Sequence, residues 1–376
     1  MQHLHIISFD IPYPANYGGA IDVFYRIKAL KETNVKITLH CFYKDSFEPQ
    51  PILESLCEKV YFYKRNTTIS NQLHKLPYAV YGRKNEDLIN NLLKDDFPIL
   101  FEGLVCCFYL DDKRLQNRIK LFRPCNIEHS YYWELAKATK ILKEKFYFAL
   151  EAHKLKKYEA VITHTDYILA LSHNDEAYFC KTYPNNNVIF LPCSHQNDSI
   201  LSIVGKSDYI LYHGNLAVAE NEFAATYLCK EVFSKLRDIK CVIAGRNPSH
   251  HLIHIIQQYP NIELISNPIQ FEMDKLISNA QINLLLTFQN TGLKLKLLNT
   301  LFAGRHVVAN TDMVAGSDLE DLCHIANDSK SQIALCKQLM TNPFTATDIE
   351  KRKSVLLPQF SNSEQAKIIK NLITTK

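Results

Sequence analysis

Two lysines, Lys294 and Lys296, stand where a protein of alternating strands and helices could hold an anion. They open a predicted amphipathic helix, 293–302, that follows an apolar predicted strand, 280–287 (AQINLLLT). A helix N-terminus offers unpaired N–H groups and a partial positive charge, and each lysine adds a full charge. This arrangement predicts binding of a phosphate or a diphosphate. Lysines on an ordinary solvated helix face give the same pattern, so both interpretations stand at this point.

Helical spacing indicates which side chains share a face of this helix. Gly292, Lys296, Asn299 and Ala303 fall on one side, at i, i+4, i+7 and i+11. The opposite side is apolar and consists of Leu293, Leu297, Leu298 and Leu301. The polar side therefore presents Lys296 and Asn299 together, and Lys296 is better placed than Lys294 to meet an anion.

A glycine pair, Gly18-Gly19, opens the first predicted helix, 19–31, directly after the first predicted strand, 4–9. Glycine allows a close backbone approach, so a sugar phosphate or an acceptor could bind at this helix N-terminus. The alternative is a tight turn with helix capping.

Further polar residues follow two other predicted strands. Glu102 ends the strand at 98–102, and the quartet Asn126-Ile127-Glu128-His129 follows the strand at 119–122. In a parallel sheet, ligands bind beyond the carboxyl ends of the strands. We therefore predict that Glu102, Glu128 or His129 positions an acceptor hydroxyl, with a helix-capping cluster as the alternative.

The elements that must position these residues alternate between strand and helix, which indicates an α/β fold with parallel sheets and helices on both faces. The pattern restarts at 209–212, after a polar, glycine-containing linker at 192–207. Two domains are predicted, 1–200 and 201–360, followed by a C-terminal helix at 361–376.

Several segments together resemble the GT-B glycosyltransferases, particularly glycosyltransferase family 4. That family's donor-nucleotide helix reads Gly-x-x-x-Lys-x-x-Glu-Ala-x-Ala-x-Gly-x-Pro-Val-Val. The corresponding residues here are Gly292, Lys296, Asn299, Thr300, Phe302, Gly304, His306, Val307 and Val308. Residues 9–22 resemble the family's first loop, 212–220 the first strand and loop of its nucleotide domain, and 243–248 its Gly-x-Gly-Pro turn.

The chain departs from this pattern at the residues that usually grip the donor. Asn299 replaces the glutamate that binds the ribose hydroxyls, and it can accept a hydrogen bond only without charge assistance. Thr291 stands where the family has the first glutamate of Glu-x7-Glu; it could bind the donor or cap the helix. Asn215 and Glu220 stand at the positions where the family usually has an Arg and a Lys. Arg246 could replace the missing phosphate anchor, or be a capping surface residue.

The resemblance implies a GT-B fold, with two Rossmann-like domains whose parallel sheets face a central cleft and a last helix, 364–375, that crosses back to the first domain. It implies transfer of a sugar from a nucleotide-diphosphate sugar to a glycan or lipid-linked acceptor, with retention and without a metal or other cofactor, in cell-surface polysaccharide biosynthesis. No Asp-x-Asp motif is present, so Lys294 and Lys296 would neutralise the diphosphate. The alternatives are a catalytically silent GT-B protein that binds a glycan or a partner, and a GT-B sugar-nucleotide epimerase.

Composition sets the remaining expectations. The net charge is +4 and no strongly basic domain stands out, so nucleic acid is not an expected partner. Eleven cysteines without a C-x-x-C pair, and no apolar run of about 18 residues, favour a cytoplasmic protein with free thiols. The lysine-rich stretch 137–157 is interleaved with Phe146, Tyr147 and Phe148. It could lie on the inner face of an anionic membrane, or be a solvated two-sided helix.

Overall fold

The computed structural model describes residues 2–48, 50–288 and 294–374. The chain forms two compact units, Met1–Ser194 with Asn362–Lys376, and His195–Ser361. Both are α/β: the first unit contains a seven-stranded sheet and the second a six-stranded sheet. The predicted boundaries, 200/201 and 360/361, lie close to those found, 194/195 and 361/362.

The strands are short and mostly buried. In chain order they are β1 (Gln2–Ser8), β2 (Val35–Tyr43), β3 (Lys59–Lys64), β4 (Ile99–Glu102), β5 (Lys120–Arg123), β6 (Tyr167–Ala170), β7 (Asn187–Phe190), β8 (Tyr209–Asn215), β9 (Lys240–Arg246), β10 (Ile262–Ser266), β11 (Ile282–Leu285), β12 (His306–Ala309) and β13 (His324–Ile325).

Helices connect the strands in both units. In chain order they are α1 (Gly18–Glu32), α2 (Pro51–Leu56), α3 (Tyr78–Tyr81), α4 (Glu86–Leu92), α5 (Glu128–Ala138), α6 (Leu142–Tyr158), α7 (His173–Thr182), α8 (Ala219–Tyr227), α9 (His250–Ile256), α10 (Gln270–Asn279), α11 (Leu295–Ala303), α12 (Thr311–Val314), α13 (Ser329–Thr341), α14 (Ala346–Phe360) and α15 (Asn362–Leu372). Short 3-10 segments include Ile69–Leu73 and Leu104–Tyr109.

Both sheets share one topology. The strand order is β3-β2-β1-β4-β5-β6-β7 in the first unit and β10-β9-β8-β11-β12-β13 in the second, and the pairings between these strands are parallel. In each unit the first three strands extend to one side, and the chain then returns to the other side of its first strand. This reversal creates a crevice at the carboxyl ends of the two central strands, where ligands of doubly wound sheets bind.

The chain crosses back to the first unit at its end, as predicted. The helix α14 belongs to the second unit and α15 to the first. On α15, Ala366 and Ile369 are buried in one core with Val23 and Ile27 of α1. The Nζ of Lys370 also donates to the Thr33 carbonyl at 2.7 Å. The last helix is therefore part of the first unit's core.

Two predicted helices differ in their bounds. The helix predicted at 293–302 begins at Leu295, so Lys294 is its N-cap residue rather than part of its first turn. The single helix predicted at 219–235 is α8 followed by a π-helical turn, Leu228–Val232, and a 3-10 turn, Phe233–Lys235. The long helical region at 130–158 is broken, as expected, into α5 and α6.

Candidate functional site

The candidate donor site lies in the second unit, at the reversal between β8 and β11. The first turn of α8 follows β8, and the first turn of α11 comes after β11. Both strands are buried in the middle of the sheet, as their apolar sequences require. The helix N-termini and the strand ends therefore converge on one crevice.

Lys296 is held at this point by three groups. Its Nζ donates to Asn221 Oδ1 at 3.0 Å and to the Leu286 carbonyl at 3.4 Å, and it lies 5.4 Å from the centre of the Tyr212 ring. Burial lowers the pKa of Lys296 to about 8, although the charge of Glu220 opposes this shift. The positive charge of Lys296 is therefore only partly balanced by the groups around it, and a bound anion would stabilise its charged form.

Lys294 belongs to the same electrostatic cluster. Burial lowers its pKa, and the charges of Glu220 and Asp312 oppose this shift. Since Glu220 acts on both lysines, two cations share one nearby carboxylate, which also accepts a hydrogen bond from the Thr287 hydroxyl. The later start of α11 explains why Lys294 lies here, because an N-cap residue does not follow the helical spacing.

A buried histidine supports the first turn of α11. The Thr300 hydroxyl donates to the Lys296 carbonyl at 2.8 Å, so it can accept from His213 Nε2, which lies 3.0 Å away. Burial lowers the pKa of His213 to about 3, with Lys296 adding to the effect. The imidazole is therefore neutral at physiological pH, and it fixes the backbone that carries Lys296 without adding charge.

Asn299 is half-buried and has a different partner from Lys296. Its Oδ1 accepts from Asn197 Nδ2 at 3.5 Å. That oxygen keeps a second lone pair for a hydroxyl donor. Lys296 and Asn299, which were predicted to act together, therefore lie on one helix but contact different residues, Asn221 and Asn197.

The other donor residues predicted in this unit lie at the ends of β8 and β9. Asn215 and Arg246 are register partners there. The Asn215 Oδ1 accepts from the Ala217 backbone N–H at 3.2 Å, so this side chain shapes the turn before α8. Arg246 is exposed at the strand end. Thr291 and Gly292 lie outside the described residues.

In the glycine pair of the first unit, Gly19 is required for close packing. The helix α1 begins at Gly18, and a Cβ on Gly19 would lie 2.6 Å from the Phe9 ring. Gly19 therefore lets the loop after β1 pack against the start of α1. In that loop the Tyr17 hydroxyl donates to Asp10 Oδ2 at 2.9 Å.

The prediction that Glu102 positions an acceptor is corrected by its surroundings. The carboxylate is 1% exposed and forms an ion pair with Arg26, which also binds Asp22. Arg123 binds Asp22 at 3.2 Å and completes a buried network of two cations and two carboxylates. A carboxylate enclosed in this way holds β4 to α1 and does not meet a substrate.

His129 is likewise bound within the protein. Its Nδ1 lies 3.1 Å from Glu159 Oε2, and its Nε2 lies 3.4 Å from the Nζ of Lys156. The same glutamate accepts from the hydroxyls of Tyr178, at 2.5 Å, and Tyr183, at 3.0 Å. Because both ring nitrogens have partners and the residue is buried, we assign His129 a structural role instead of the predicted contact with an acceptor.

Glu128, the third residue predicted to position an acceptor hydroxyl, has a different environment from Glu102 and His129. It is half-buried at the start of α5, directly after β5. Burial raises its pKa to about 7, with Arg83 opposing and Glu159 adding to the shift. A carboxyl group that titrates near neutral pH can exchange a proton with a hydroxyl.

Some members of the donor site were missed from the sequence. Asn221 follows Glu220 in the first turn of α8, and Thr287 ends the predicted strand, so their positions after buried strands were available as a signal. Nothing in the sequence pairs Asn197 with Asn299, or His213 with Thr300, because these contacts join distant segments. Among the residues that the structure describes, no cluster of three or more His, Cys, Asp or Glu could hold a metal ion.

The two sheets and their order define the class of protein fold: this is the two-domain α/β fold of the GT-B glycosyltransferases. The sucrose-phosphate synthase of Thermosynechococcus elongatus matches with a TM-score of 0.71 over 100% of both chains, at 12% identity. The S. aureus TarM in complex with Fondaparinux, alpha-GlcNAc-glycerol and UDP matches with 0.67 over 100% of both chains, at 10% identity. The Anabaena HepE in complex with UDP and glucose matches with 0.64 over 100% of both chains, at 9% identity.

At the level of sequence, the chain is similar to an uncharacterized 44.6 kDa protein in the cps region of Klebsiella pneumoniae. The two are 26% identical over 92% of this chain and 95% of that protein. No protein-family model matches the chain. The expected GT-B fold is thus confirmed, whereas the closer resemblance to family 4 stays a prediction.

Proposed function

We propose that this protein is a glycosyltransferase that moves a sugar from a nucleotide-diphosphate sugar to a glycan or lipid-linked acceptor. The observation that carries the proposal is the cluster of Lys294, Lys296 and Asn221 at the reversal of the second sheet. Two half-buried cations beside helix N-termini suit a diphosphate leaving group, which gains one further negative charge as the bond to the sugar breaks. We further propose retention of configuration, which the resemblance to family 4 implies, and independence of metal, because the lysines would supply the positive charge.

A relative and several fold neighbours guide the choice of substrates. The solved complexes of TarM and HepE contain UDP, so a uridine diphosphate sugar is the first donor to test. The relative from the cps region suggests a role in making a cell-surface polysaccharide. On the acceptor side, Glu128 is the group that could exchange a proton with the attacking hydroxyl.

The decisive experiment compares UDP with uridine in calorimetry of the Lys296→Ala variant. A charge-assisted hydrogen bond contributes about 1.5–3 kcal/mol, so we expect UDP to bind roughly ten- to hundredfold more weakly. Uridine, which lacks the diphosphate, should bind as it does to the parent. Lys337→Ala, at an exposed position on α13, is the matched control and should bind both ligands normally.

A parent-like affinity of Lys296→Ala for UDP would place the diphosphate elsewhere and refute the assignment. Thermal melts of each variant would confirm that the fold is intact. Sugar release from a panel of nucleotide sugars, measured with and without a chelator, then tests transfer and the absence of a metal requirement.

A catalytically silent GT-B protein is the second candidate. It is favoured by Asn299, which stands where glycosyltransferase family 4 has a carboxylate, and by the hydrogen bond that Asn197 already donates to the Asn299 side chain. The two functions differ in their ligands: a silent protein would bind no nucleotide in the same calorimetry, whereas micromolar binding of a nucleoside diphosphate supports the transferase.

A further inference from the structure

The hairpin formed by α5 and α6 carries an exposed apolar surface. On α6, Leu142 is 82% exposed, Phe146 is 74% exposed, and Leu150 is also exposed. Their spacing of four residues puts them on one face, over about 12 Å of helix at 1.5 Å per residue. Large apolar side chains of this kind normally enter a core, so a continuous exposed row of them indicates an interaction site.

The row continues into a neighbouring segment. Lys154 is the next residue on the same face of α6, and its Nζ donates to the Gln72 carbonyl at 2.6 Å. The 3-10 segment Ile69–Leu73 therefore lies at the end of the row, where Leu73 is 90% exposed and Ile69 is also exposed. We call the set of Leu142, Phe146, Leu150, Ile69 and Leu73 the apolar stripe.

Aromatic residues accompany the stripe on α5. The rings of Tyr132 and Phe148 lie 6.0 Å apart, which fixes how the two helices run alongside each other. Trp133 follows Tyr132 on α5 and is 44% exposed. Tryptophan is the side chain most suited to the boundary between hydrocarbon and water.

The charges around the stripe are positive. Each residue turns a helix by about 100°, so Lys143 and Lys145 lie on either side of the stripe. Lys140, in the connection between the helices, is exposed as well. In the described part of the chain, none of these three lysines takes part in an ion pair.

The acidic residues of α6 face away from the stripe. Glu144 lies across the helix and accepts from the Thr139 hydroxyl at 2.7 Å. Glu151 is buried, where it accepts from the Tyr78 backbone N–H at 2.7 Å and pairs with Lys154 at 2.9 Å. The exposed surface therefore combines apolar side chains with cations, although the helix as a whole contains both signs of charge.

We propose that the apolar stripe and Lys140, Lys143 and Lys145 dock the first unit on an anionic lipid surface. Apolar side chains would enter the boundary between headgroups and acyl chains, and the lysines would meet lipid phosphates. A second copy of the chain fits less well, because a symmetric contact through this face would bring lysines against lysines. The docking surface does not depend on nucleotide binding, so it can be tested apart from the proposed transferase activity.

Trp133 is the single tryptophan of the chain and lies on α5, in the same hairpin as the apolar stripe. We would titrate the full-length protein with vesicles of phosphatidylcholine alone, and with vesicles that also contain about 30 mol% phosphatidylglycerol. We expect a blue shift of the fluorescence and quenching by brominated acyl chains with the anionic vesicles only. Binding should weaken as the salt concentration rises, because the lysine contribution is screened.

Two sets of variants separate the apolar and charged contributions in vesicle co-sedimentation. Leu142→Ser with Phe146→Ser should reduce binding to anionic vesicles by roughly tenfold or more, since the buried apolar area is lost. Lys140→Glu, Lys143→Glu and Lys145→Glu together should abolish the preference for anionic lipid. The controls are Phe271→Ser, at a 62% exposed aromatic residue of the second unit, and Lys330→Glu with Lys337→Glu.

Parent-like binding of both stripe variants, or no binding of the parent to anionic vesicles, would overturn the proposal. So would sedimentation without quenching of Trp133, which would place the lipid contact on another surface. A concentration-dependent dimer that Phe146→Ser dissociates, without vesicle binding, would assign the stripe to a second copy instead. UDP affinity should be unchanged in all stripe variants. A variant that loses only lipid binding therefore tests the docking surface. A parent protein that binds no UDP would instead contradict the proposed function.

Discussion

The properties of the donor site depend on the environment of a few side chains. Lys296 is a lysine like many others in the sequence, yet burial and the nearby charge of Lys294 lower its pKa to about 8, although Glu220 opposes this shift. The Lys296 ammonium group donates hydrogen bonds to an amide oxygen and a backbone carbonyl oxygen. These acceptors carry no full negative charge, so they do not neutralise the lysine. A diphosphate would supply the missing negative charge.

The lowered pKa of Lys296 predicts that UDP binding weakens in alkali. In the free protein the pKa is about 8, below the ordinary value of 10.5, so the ammonium group is mostly present at pH 7 and mostly lost at pH 9. A bound diphosphate favours the charged form and raises the pKa, so binding at pH 8 should take up protons. Calorimetry in two buffers of different ionisation enthalpy measures this uptake.

We expect the affinity for UDP to fall between pH 7 and pH 9, approaching about tenfold per pH unit above the free pKa. The phosphate groups are fully ionised above about pH 7, because their last pKa lies near 6, so they do not cause the fall. Lys296→Ala should show a much flatter profile. An equally steep profile in that variant would assign the pH dependence to another group.

A substitution at Asn299 tests whether the candidate donor site tolerates the carboxylate that glycosyltransferase family 4 has at this position. Asn299→Glu should leave UDP affinity unchanged or higher, because a carboxylate accepts charge-assisted hydrogen bonds from ribose hydroxyls. The existing contact also needs only an acceptor at this position, since Asn197 is the donor. A loss of more than about tenfold, or roughly 1.4 kcal/mol, would show that the amide group of Asn299 is required.

At the scale of elements, the ends of β8 and β9 shape the floor of the donor site. A Cβ on Gly245 would lie 1.9 Å from the Gly214 carbonyl oxygen, so the two strands approach too closely there for any side chain. A Cβ on Gly214 would instead meet the side chain of Asn221 at 3.3 Å, and that side chain can move. The two glycines therefore serve different purposes.

Alanine substitutions should separate these purposes. Gly245→Ala should destabilise the protein by roughly 1–3 kcal/mol, as overpacking against backbone does, and lower its melting temperature. Gly214→Ala should melt close to the parent but weaken UDP binding severalfold, because displaced Asn221 no longer supports Lys296. The pair is checked by calorimetry and thermal melts, and equal melting temperatures would contradict the assigned clash.

At the scale of the whole molecule, the first unit is built from two segments that are far apart in the chain, Met1–Ser194 and Asn362–Lys376. The helix α15 comes last in the sequence but buries Ala366 and Ile369 in the core around β1 and α1, together with Ile373, which follows the helix. The 3-10 segment and hairpin that form the apolar stripe belong to the same unit. In the described ranges, none of the helices is both long and apolar enough to span a membrane.

Ile369→Ala should destabilise the first unit by about 2–5 kcal/mol, because it leaves a cavity at a fully buried position. Tryptophan fluorescence during urea unfolding reports this unit, since Trp133 is the only tryptophan and lies in α5. Lys367→Ala, at an exposed position of the same helix, is the control and should change stability by less than about 0.5 kcal/mol. Equal midpoints for both variants would contradict the role of α15 in the core.

The sequence by itself determined the alternation of strands and helices and the two-domain division, because these follow from apolar periodicity along continuous segments. The return of the last helix was predicted from the resemblance to the GT-B glycosyltransferases. It also placed Lys296 near a helix start. Only the tertiary structure decided which side chains are free to act. The enclosure of Glu102 by Arg26, the pairing of His129 with Glu159 and the support of Lys296 by Asn221 each join residues far apart in the chain. Burial and charge at such contacts depend on packing between elements, which one-dimensional spacing does not encode.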